Sequence, residues 1–243
     1  MSVPPAWRAA ERRIVAPQPA MVASGAMDQT LRLTLPGPFT GVVLDMDGTL
    51  VDTEKLWLVA KQRLFARYGV TFQHADHVAL FGRDELYSAT YLCGRLGQPP
   101  SRVEAIRDEY LALVGQVFSE GVDLRPGTLE LLSSLKGVVP VGVASNTRRT
   151  LVDIVLDRAG LLPYLDTVTT SDGRRPKPAP DIYLDACASL GLEPTSAVAV
   201  EDSPTGIAAA RAAGLTCIAV PSESSEGLDA ANHIVGSLFD LMP

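Results

Sequence analysis

Two aspartates separated by one residue, Asp45 and Asp47, follow a short apolar segment that ends at Leu44. In an extended chain, residues two apart point to the same side, so both carboxylates would face one site. One carboxylate of such a pair can attack an electrophile such as phosphorus, while the other transfers a proton with the leaving group. An isolated Asp-x-Asp-Gly sequence is more often a solvated turn. Here it directly follows a strand-like segment, which favours a functional role.

Further polar residues follow apolar segments later in the chain. They are Ser145 and Asn146, Lys177, and the acidic pair Glu201 and Asp202. Considered singly, each has an ordinary explanation as a helix cap or a surface residue. Together they match what phosphoryl transfer requires, because a lysine and a hydroxyl group can neutralise and hydrogen-bond the oxygens of the transferred group.

The carboxylates of Asp45, Asp47, Glu201 and Asp202 would repel one another unless a cation lay among them. A ligand set made of oxygen atoms alone favours Mg²⁺, which keeps several water ligands and also binds phosphate oxygens. We therefore predict a Mg²⁺ cofactor and a small phosphorylated metabolite as the ligand.

The elements that must position these residues alternate between strands and helices. Apolar strand-like segments occupy residues 41–44, 138–144, 167–170, 197–200 and 215–220, and helical patterns occupy 128–135, 149–159, 180–190 and 205–213. Continuous apolar strands indicate a sheet buried on both faces, and alternation with helices indicates parallel strands joined by right-handed crossovers. The predicted fold is an α/β fold with a doubly wound parallel Rossmann-like sheet. Ligands of such sheets bind beyond the carboxyl ends of the strands, where all the candidate residues lie.

A block of helical pattern without a convincing strand interrupts this alternation after the first strand. Its helical segments cover residues 54–68, 75–80, 84–96 and 102–119. We predict a small α-helical cap domain over residues 53–124, inserted into a catalytic core formed by residues 37–52 and 125–243. Residues 1–36 are rich in Ala, Pro and Val and are predicted to be a disordered N-terminal extension.

Composition excludes several classes of partner. The 243 residues carry a formal net charge of −7, whereas nucleic-acid binding needs a basic surface. No apolar segment approaches the roughly 20 residues needed to cross a bilayer. The three scattered cysteines indicate small core residues in a reducing compartment. We expect a cytoplasmic protein with neither nucleic acid nor membrane as a partner, and the sequence leaves the oligomeric state open.

Taken together, the motifs resemble those of the haloacid dehalogenase-like (HAD) hydrolases, in the group with a helical cap inserted after the first strand. The segments that carry the resemblance are Asp45-Met46-Asp47-Gly48-Thr49, Ser145-Asn146, Lys177-Pro178-Ala179-Pro180 and Glu201-Asp202-Ser203-Pro204. They follow one another in the order of the family between Phe39 and the C-terminus. Any one of them alone is a weak signal, but the set is highly specific.

The resemblance implies a phosphatase that forms an aspartyl-phosphate on Asp45. Asp47 would be the general acid and then the base for hydrolysis, and its main-chain carbonyl would bind Mg²⁺. Asp202, together with Glu201, would complete the metal site around Asp45.

The resemblance also implies how the substrate is held. Ser145, Asn146 and Lys177 would bind the phosphate, and residues 48–53 would form the hinge between the core and the cap. Arg83, in the predicted cap loop Phe81-Gly82-Arg83-Asp84, would contact the leaving group, although an ordinary surface arginine is an equally good explanation of that residue.

Differences within the family narrow the chemistry. The presence of Asp47 disfavours dehalogenation, because the dehalogenases lack an aspartate two residues after the nucleophile. The β-phosphoglucomutases are closer, but they carry a histidine where this chain has Trp57. We therefore predict a phosphatase acting on a small metabolite, a sugar phosphate by the same resemblance, with a phosphosugar mutase as the alternative. Receiver domains use similar groups, but they are much shorter and have no inserted cap.

Overall fold

The computed structural model describes residues 39–80, 85–222 and 225–242 of the chain. The predicted extension over residues 1–36 lies outside these ranges. The β-strands are β1 (Gly41–Leu44), β2 (Val141–Ser145), β3 (Thr167–Thr170), β4 (Ala197–Glu201), β5 (Thr216–Ala219) and β6 (His233–Ile234). They form one sheet in the order β3-β2-β1-β4-β5-β6, and each neighbouring pair is parallel.

Helices cover both faces of this sheet. The α-helices are α1 (Glu54–Arg67), α2 (His74–Leu80), α3 (Glu85–Arg95), α4 (Val103–Glu120), α5 (Thr128–Leu135), α6 (Arg149–Arg158), α7 (Asp181–Leu190) and α8 (Pro204–Ala212). Because side chains alternate along a strand, Val42 and Leu44 pack on the face covered by α5 and α6, while Val43 packs on the face covered by α7 and α8. The predicted doubly wound α/β fold is confirmed.

Most predicted elements end within one residue of the observed boundaries, and two differences are larger. Strand β2 begins at Val141 rather than at residue 138, because the Val138 side chain is exposed and its backbone N–H donates to Leu135 in the turn that ends α5. Strand β6 was not predicted. It comprises only His233 and Ile234, both exposed at the sheet edge, so no apolar pattern marks it.

The four helices α1 to α4 lie between β1 and β2, and we call them the helical insertion. The chain segments that enter and leave the insertion run side by side: the Asp52 N–H donates to the Asp123 carbonyl at 2.9 Å, and the Arg125 N–H donates to the Leu50 carbonyl at 3.0 Å. The Thr128 hydroxyl also donates to the Leu50 carbonyl, at 2.8 Å. The insertion is therefore connected to the sheet by two adjacent extended segments, one around residues 50–52 and the other around residues 123–125.

The insertion has its own buried polar network, centred on Asp76 of α2. One carboxylate oxygen accepts from Tyr91 at 2.8 Å and from Arg95 Nε at 2.5 Å, and the other accepts from the Gln73 N–H at 2.8 Å and from Arg95 Nη2 at 3.0 Å. The Arg95 guanidinium also lies 5.6 Å from the centre of the Phe65 ring. Since these residues come from α1, α2, α3 and the turn before α2, Asp76 ties most of the insertion together.

Two further observations bear on the predictions from composition. No helix in the described ranges is both long enough and apolar enough to cross a membrane. All three cysteines, Cys93, Cys187 and Cys217, are buried free thiols, as expected for small core residues.

We predict that Asp76→Asn destabilises the protein by about 1–3 kcal/mol, because hydrogen bonds to a buried charge are lost and Arg95 remains unpaired. Hydrogen bonds from Arg95 lower the pKa of Asp76 to about 2. A depressed pKa in the folded state contributes stability above the unfolded-state value, and this contribution is lost as pH falls through the range from about 4 to about 2. Urea unfolding of both proteins at several pH values measures this difference. The control is Asp153→Asn, which removes an exposed partner of Arg149. A difference that stays constant down to pH 2 would contradict the assignment.

Candidate active site

The candidate site lies where the order of the strands reverses. Successive strands move outward from β1 on one side and from β4 on the other, which leaves a crevice at the carboxyl ends of these two neighbours. Leu44 of β1 is in register with Val200 of β4, and the Asp45 N–H donates to the Val200 carbonyl at 2.9 Å. Asp45 and Glu201 therefore leave adjacent strands at the same level.

A buried lysine joins these two carboxylates. Lys177 Nζ donates to Asp45 Oδ1 at 2.6 Å, to Glu201 Oε1 at 2.6 Å and to the Ala144 carbonyl at 2.8 Å. An ammonium group has three protons, so each has one acceptor. Burial would lower the pKa of Lys177, but the charges of Asp45 and Glu201 outweigh it and raise the pKa above its usual range. Lys177 is therefore a permanent cation held against Asp45.

Glu201 is held from both sides. Its Oε1 also accepts from the Tyr183 hydroxyl at 2.8 Å, and its Oε2 accepts from the Ser203 hydroxyl at 3.0 Å and more weakly from the N–H groups of Asp202 and Ser203 at 3.2 and 3.3 Å. This approach requires a glycine on α8: a Cβ built on Gly206 would lie 1.9 Å from the Glu201 carboxyl group. Both carboxylate oxygens of Glu201 are thus engaged by protein donors.

The second oxygen of Asp45 differs from the first. Asp45 Oδ2 is buried and has no hydrogen-bond partner among the described residues. Burial raises the pKa of Asp45 well above its usual value, against the effect of Lys177, and the charges of Glu201 and Asp202 raise it further. Burial, followed by the charge of Glu201, also raises the pKa of Asp202 to about 6. The charged groups of the protein alone therefore leave an excess of negative charge in this region, in spite of Lys177.

The donor set fits a divalent cation. Asp45, Glu201 and Asp202 each offer a carboxylate oxygen, and the three oxygens lie within 4.8 Å of one another. Oxygen ligands suit Mg²⁺, and a cation among these carboxylates would offset the excess negative charge around the unpartnered Oδ2. Gly48 permits the close approach of Asp202: it has a φ of +84°, and a Cβ at this position would lie 2.0 Å from Asp202 Oδ2.

Asp47 is surrounded by hydroxyl groups. Its Oδ1 accepts from Thr53 at 2.6 Å, and its Oδ2 accepts from Thr147 at 2.9 Å and from Ser145 at 3.1 Å. These donors come from two separate segments, since Thr53 immediately precedes α1, whereas Ser145 ends β2 and Thr147 follows it. The carboxylate is oriented but retains a half-exposed position at the cleft.

Asn146 acts on the loop that carries Lys177. Its side-chain oxygen accepts from the Lys177 N–H at 2.8 Å, and its side-chain NH₂ donates to the Lys177 carbonyl at 3.3 Å. The Ser171 hydroxyl in turn donates to the Asn146 carbonyl at 2.7 Å. The amide of Asn146 therefore holds the backbone of Lys177 in place, which the sequence did not indicate.

These groups line a cleft of about 260 Å³. Its walls are formed by Asp45, Asp47, Trp57, Asn146, Thr147, Lys177, Asp202, Ser203 and Thr205. Trp57 comes from α1 of the helical insertion, and its ring packs against Phe118 of α4 with centroids 5.4 Å apart. A larger groove of about 470 Å³ lies between α4 and α6, but the described residues in its walls are mostly aliphatic or small, and Asp108 and Arg148 are the charged residues among them. The smaller cleft is the one that combines acids, hydroxyls and a lysine.

The structure brings together seven of the eight predicted site residues. They are Asp45, Asp47, Ser145, Asn146, Lys177, Glu201 and Asp202. The eighth, Arg83, lies outside the described residues. The contributors that were not predicted as site residues include Thr53, Trp57, Thr147, Tyr183 and Ser203. Thr147 follows Ser145-Asn146 directly and was within reach of motif reasoning, whereas Tyr183 lies in an ordinary helical pattern and carries no signal of its role.

Comparison with known proteins places the chain in a family. Residues 39–214 match the model of the haloacid dehalogenase-like hydrolases, so the chain belongs to this family of enzymes. The predicted resemblance is confirmed.

Three relatives illustrate the similarity. The chain is 32% identical to validoxylamine A 7'-phosphate phosphatase of Streptomyces hygroscopicus subsp. limoneus, over 82% of this chain and 94% of that one. It is 30% identical to fructose-1-phosphate phosphatase of Escherichia coli (strain K12), over 75% and 96%. Among solved structures, CbbY from Rhodobacter sphaeroides in complex with phosphate superposes with a TM-score of 0.71 at 27% identity, over 82% of this chain and 95% of that one.

We predict that Gly206→Ala destabilises the protein by about 1–3 kcal/mol and lowers its activity, because the new methyl group overlaps the Glu201 carboxyl group. The matched control is Gly94→Ala in α3, where a Cβ meets nothing within 4 Å. There the exchange removes a flexible residue from a helix and is expected to stabilise by up to about 1 kcal/mol. Urea unfolding of both variants measures the contrast, and equal effects would show that Glu201 is not closely held.

Proposed function

We propose that this protein is a Mg²⁺-dependent phosphomonoesterase that hydrolyses a small phosphorylated metabolite, a sugar phosphate by class, through an aspartyl-phosphate on Asp45. The observation that carries the proposal is the asymmetry of the Asp45 carboxylate: Oδ1 accepts a hydrogen bond from Lys177, whereas Oδ2 has no hydrogen-bond partner in the part of the chain that the structure describes. Both curated relatives described above are named as phosphatases, one of them of fructose 1-phosphate, which supports the substrate class.

Asp45 Oδ2 would attack the phosphorus atom as the bond to the leaving oxygen breaks. Asp47 would donate a proton to that oxygen, so that the leaving group departs as a neutral alcohol. Asp47 would then accept a proton from the water that attacks the aspartyl-phosphate, which returns Asp45 to a carboxylate and releases inorganic phosphate. Lys177 beside Asp45 would supply a fixed positive charge near the phosphoryl oxygens, and the Ser145 hydroxyl, which donates to Asp47 in the structure, would turn to donate to them.

The Asp45 carboxylate, Asp202 and the main-chain carbonyl of Asp47 are the groups that would hold Mg²⁺, while Oδ2 of Asp45 is kept for the attack on phosphorus. When bound, the cation would neutralise charge on the carboxylates and the phosphate. Glu201 lies within the same cluster, but protein donors already engage both of its oxygens. We therefore propose that the main role of Glu201 is to hold Lys177 in position, and direct ligation of Mg²⁺ by Glu201 stays a prediction.

The helical insertion, within the predicted cap boundaries of residues 53–124, would act as a cap over the cleft. Its approach to the core is supported by Arg148, at the start of α6, which donates through Nε to Glu85 of α3 at 2.7 Å and through Nη2 to the other oxygen of the same carboxylate. Trp57 places an aromatic surface at the cleft, where it would contact the leaving group and exclude water.

The mutase alternative requires the intermediate to return its phosphate to a bound sugar. Trp57, which lines the cleft from the insertion, has no group that can exchange a proton with a sugar hydroxyl. A mutase would release phosphate slowly, form an isomerised product and be stimulated by a sugar bisphosphate.

We predict that the protein releases phosphate from members of a panel of sugar, glycolyl and nucleoside monophosphates in Mg²⁺ and that EDTA abolishes this activity. Asp45→Asn is expected to lower kcat/KM on the order of 10³-fold or more, because it removes the nucleophile. Asp153→Asn, an exposed exchange on α6, is the matched control and is expected to leave the rate unchanged. Activity that survives either EDTA or Asp45→Asn would refute the proposal. Chromatography of the products distinguishes hydrolysis from isomerisation.

We predict that the effect of Asp47→Asn depends on the leaving group. An alkoxide leaving from a sugar phosphate needs a proton, whereas 4-nitrophenolate is stable without one. The loss in kcat/KM is therefore expected to be at least about 10-fold greater for the sugar phosphate than for 4-nitrophenyl phosphate. Steady-state kinetics with both substrates measures the ratio, and equal losses would exclude Asp47 as the acid.

A further inference from the structure

Tyr183, the third residue of α7, is a fully buried residue with a polar group directed at the site. Its hydroxyl donates to Glu201 Oε1 at 2.8 Å, and its ring centre lies 5.0 Å from Lys177 Nζ. Tyr183 does not line the cleft. It therefore contacts the charged groups from the protein interior, on the side away from the ligand.

The same Glu201 oxygen is shared by two donors. Tyr183 and Lys177 both donate to Oε1, at 2.8 and 2.6 Å, while Oε2 is held by the Ser203 hydroxyl. A carboxylate oxygen can accept more than one hydrogen bond, so the two donors do not compete. With the phenol in place, Oε1 cannot move toward the cleft without losing a buried hydrogen bond, which is costly.

The position of Oε1 determines the position of the ammonium group. All three protons of Lys177 have acceptors, of which the Ala144 carbonyl belongs to the main chain and Asp45 Oδ1 belongs to the carboxylate that the ammonium faces. Glu201 Oε1 is the third acceptor and belongs to a side chain that could adopt other rotamers. Any shift of Oε1 would therefore lengthen the contact between Lys177 and Asp45 or turn the ammonium away from it.

We propose that Tyr183 is a positioning residue that fixes Lys177 against Asp45 through Glu201. This inference rests on the proposed phosphatase function. Because Tyr183 does not line the cleft, it would contact neither the substrate nor the cation; its hydroxyl keeps the Glu201 carboxylate in place, and its ring faces the ammonium group, which favours the cationic form of Lys177. Tyr183 would thus affect the reaction through Lys177, because the ammonium group stabilises the negative charge that develops on the phosphoryl oxygens.

The first test uses Tyr183→Phe, which retains the ring and removes only the hydroxyl. We expect kcat with the best phosphate ester to fall about 10-fold, as is typical when a partner that orients a reacting group is removed, with KM changed by less than about two-fold. The matched control is Tyr91→Phe, which also removes a hydroxyl that donates to a carboxylate at 2.8 Å, but to Asp76 in the helical insertion. The control is expected to lower the melting temperature by a similar amount and to change kcat by less than about two-fold.

A second test asks whether Tyr183 acts through Glu201. In a Glu201→Gln background, Tyr183→Phe is expected to change kcat by less than about two-fold, because the group that it orients has been altered. If the Glu201→Gln enzyme is too slow to assay, the comparison with Tyr91→Phe decides alone. An unchanged kcat in Tyr183→Phe, an equal loss in both backgrounds or an equal loss in the Tyr91→Phe control would overturn the positioning role while the phosphatase assignment stands. A wild-type protein without phosphatase activity would overturn both.

Discussion

The buried ammonium group of Lys177 lies between two carboxylates and is the interaction on which the remaining geometry depends. Placing three charges in a protein interior is unfavourable unless each is paired and hydrogen-bonded, and such arrangements seldom stabilise a fold more than apolar side chains would. Here each proton of the ammonium has an acceptor, and Glu201 has donors on both oxygens. The arrangement is complete except at Asp45 Oδ2. Among the described residues, the buried carboxylate oxygen without a hydrogen-bond partner is therefore the one that would attack phosphorus in the proposed reaction.

The sheet topology makes this arrangement possible with few residues. Because β1 and β4 are neighbours and the chain leaves them in opposite directions, the crevice between their carboxyl ends is open to loops from both halves. Two glycines then allow unusually close contacts: Gly48 admits Asp202, and Gly206 admits Glu201. Side chains at either position would occupy the space of a carboxyl group. The charged groups can therefore approach one another because glycines occupy the two positions where a side chain would block a carboxyl group.

Core and insertion contribute differently to the proposed reaction. The core supplies the acids, the lysine and the hydroxyls, which would act on any phosphate ester. The helical insertion supplies Trp57 to the cleft, and the two adjacent extended segments near Asp52 and Asp123 connect it to the strand that carries Asp45. A change in the position of the insertion would thus reach the leaving-group side of the cleft and leave the strand ends intact.

The amino-acid sequence specifies the fold class, most element positions and the segments that meet at the candidate site. Apolar strands such as residues 197–200 and helices such as residues 128–135 are specified by local periodicity, and residues that follow parallel strands must meet at one edge of the sheet. Which side chains each of these residues contacts depends on the tertiary structure. Glu201 and Asp202 are adjacent and chemically alike, yet one is enclosed by Lys177, Tyr183 and Ser203 while the other faces the cleft. The partners of Glu201 come from separate segments of the chain. Hydrogen bonds between residues so far apart in sequence produce no periodic pattern from which they could be predicted.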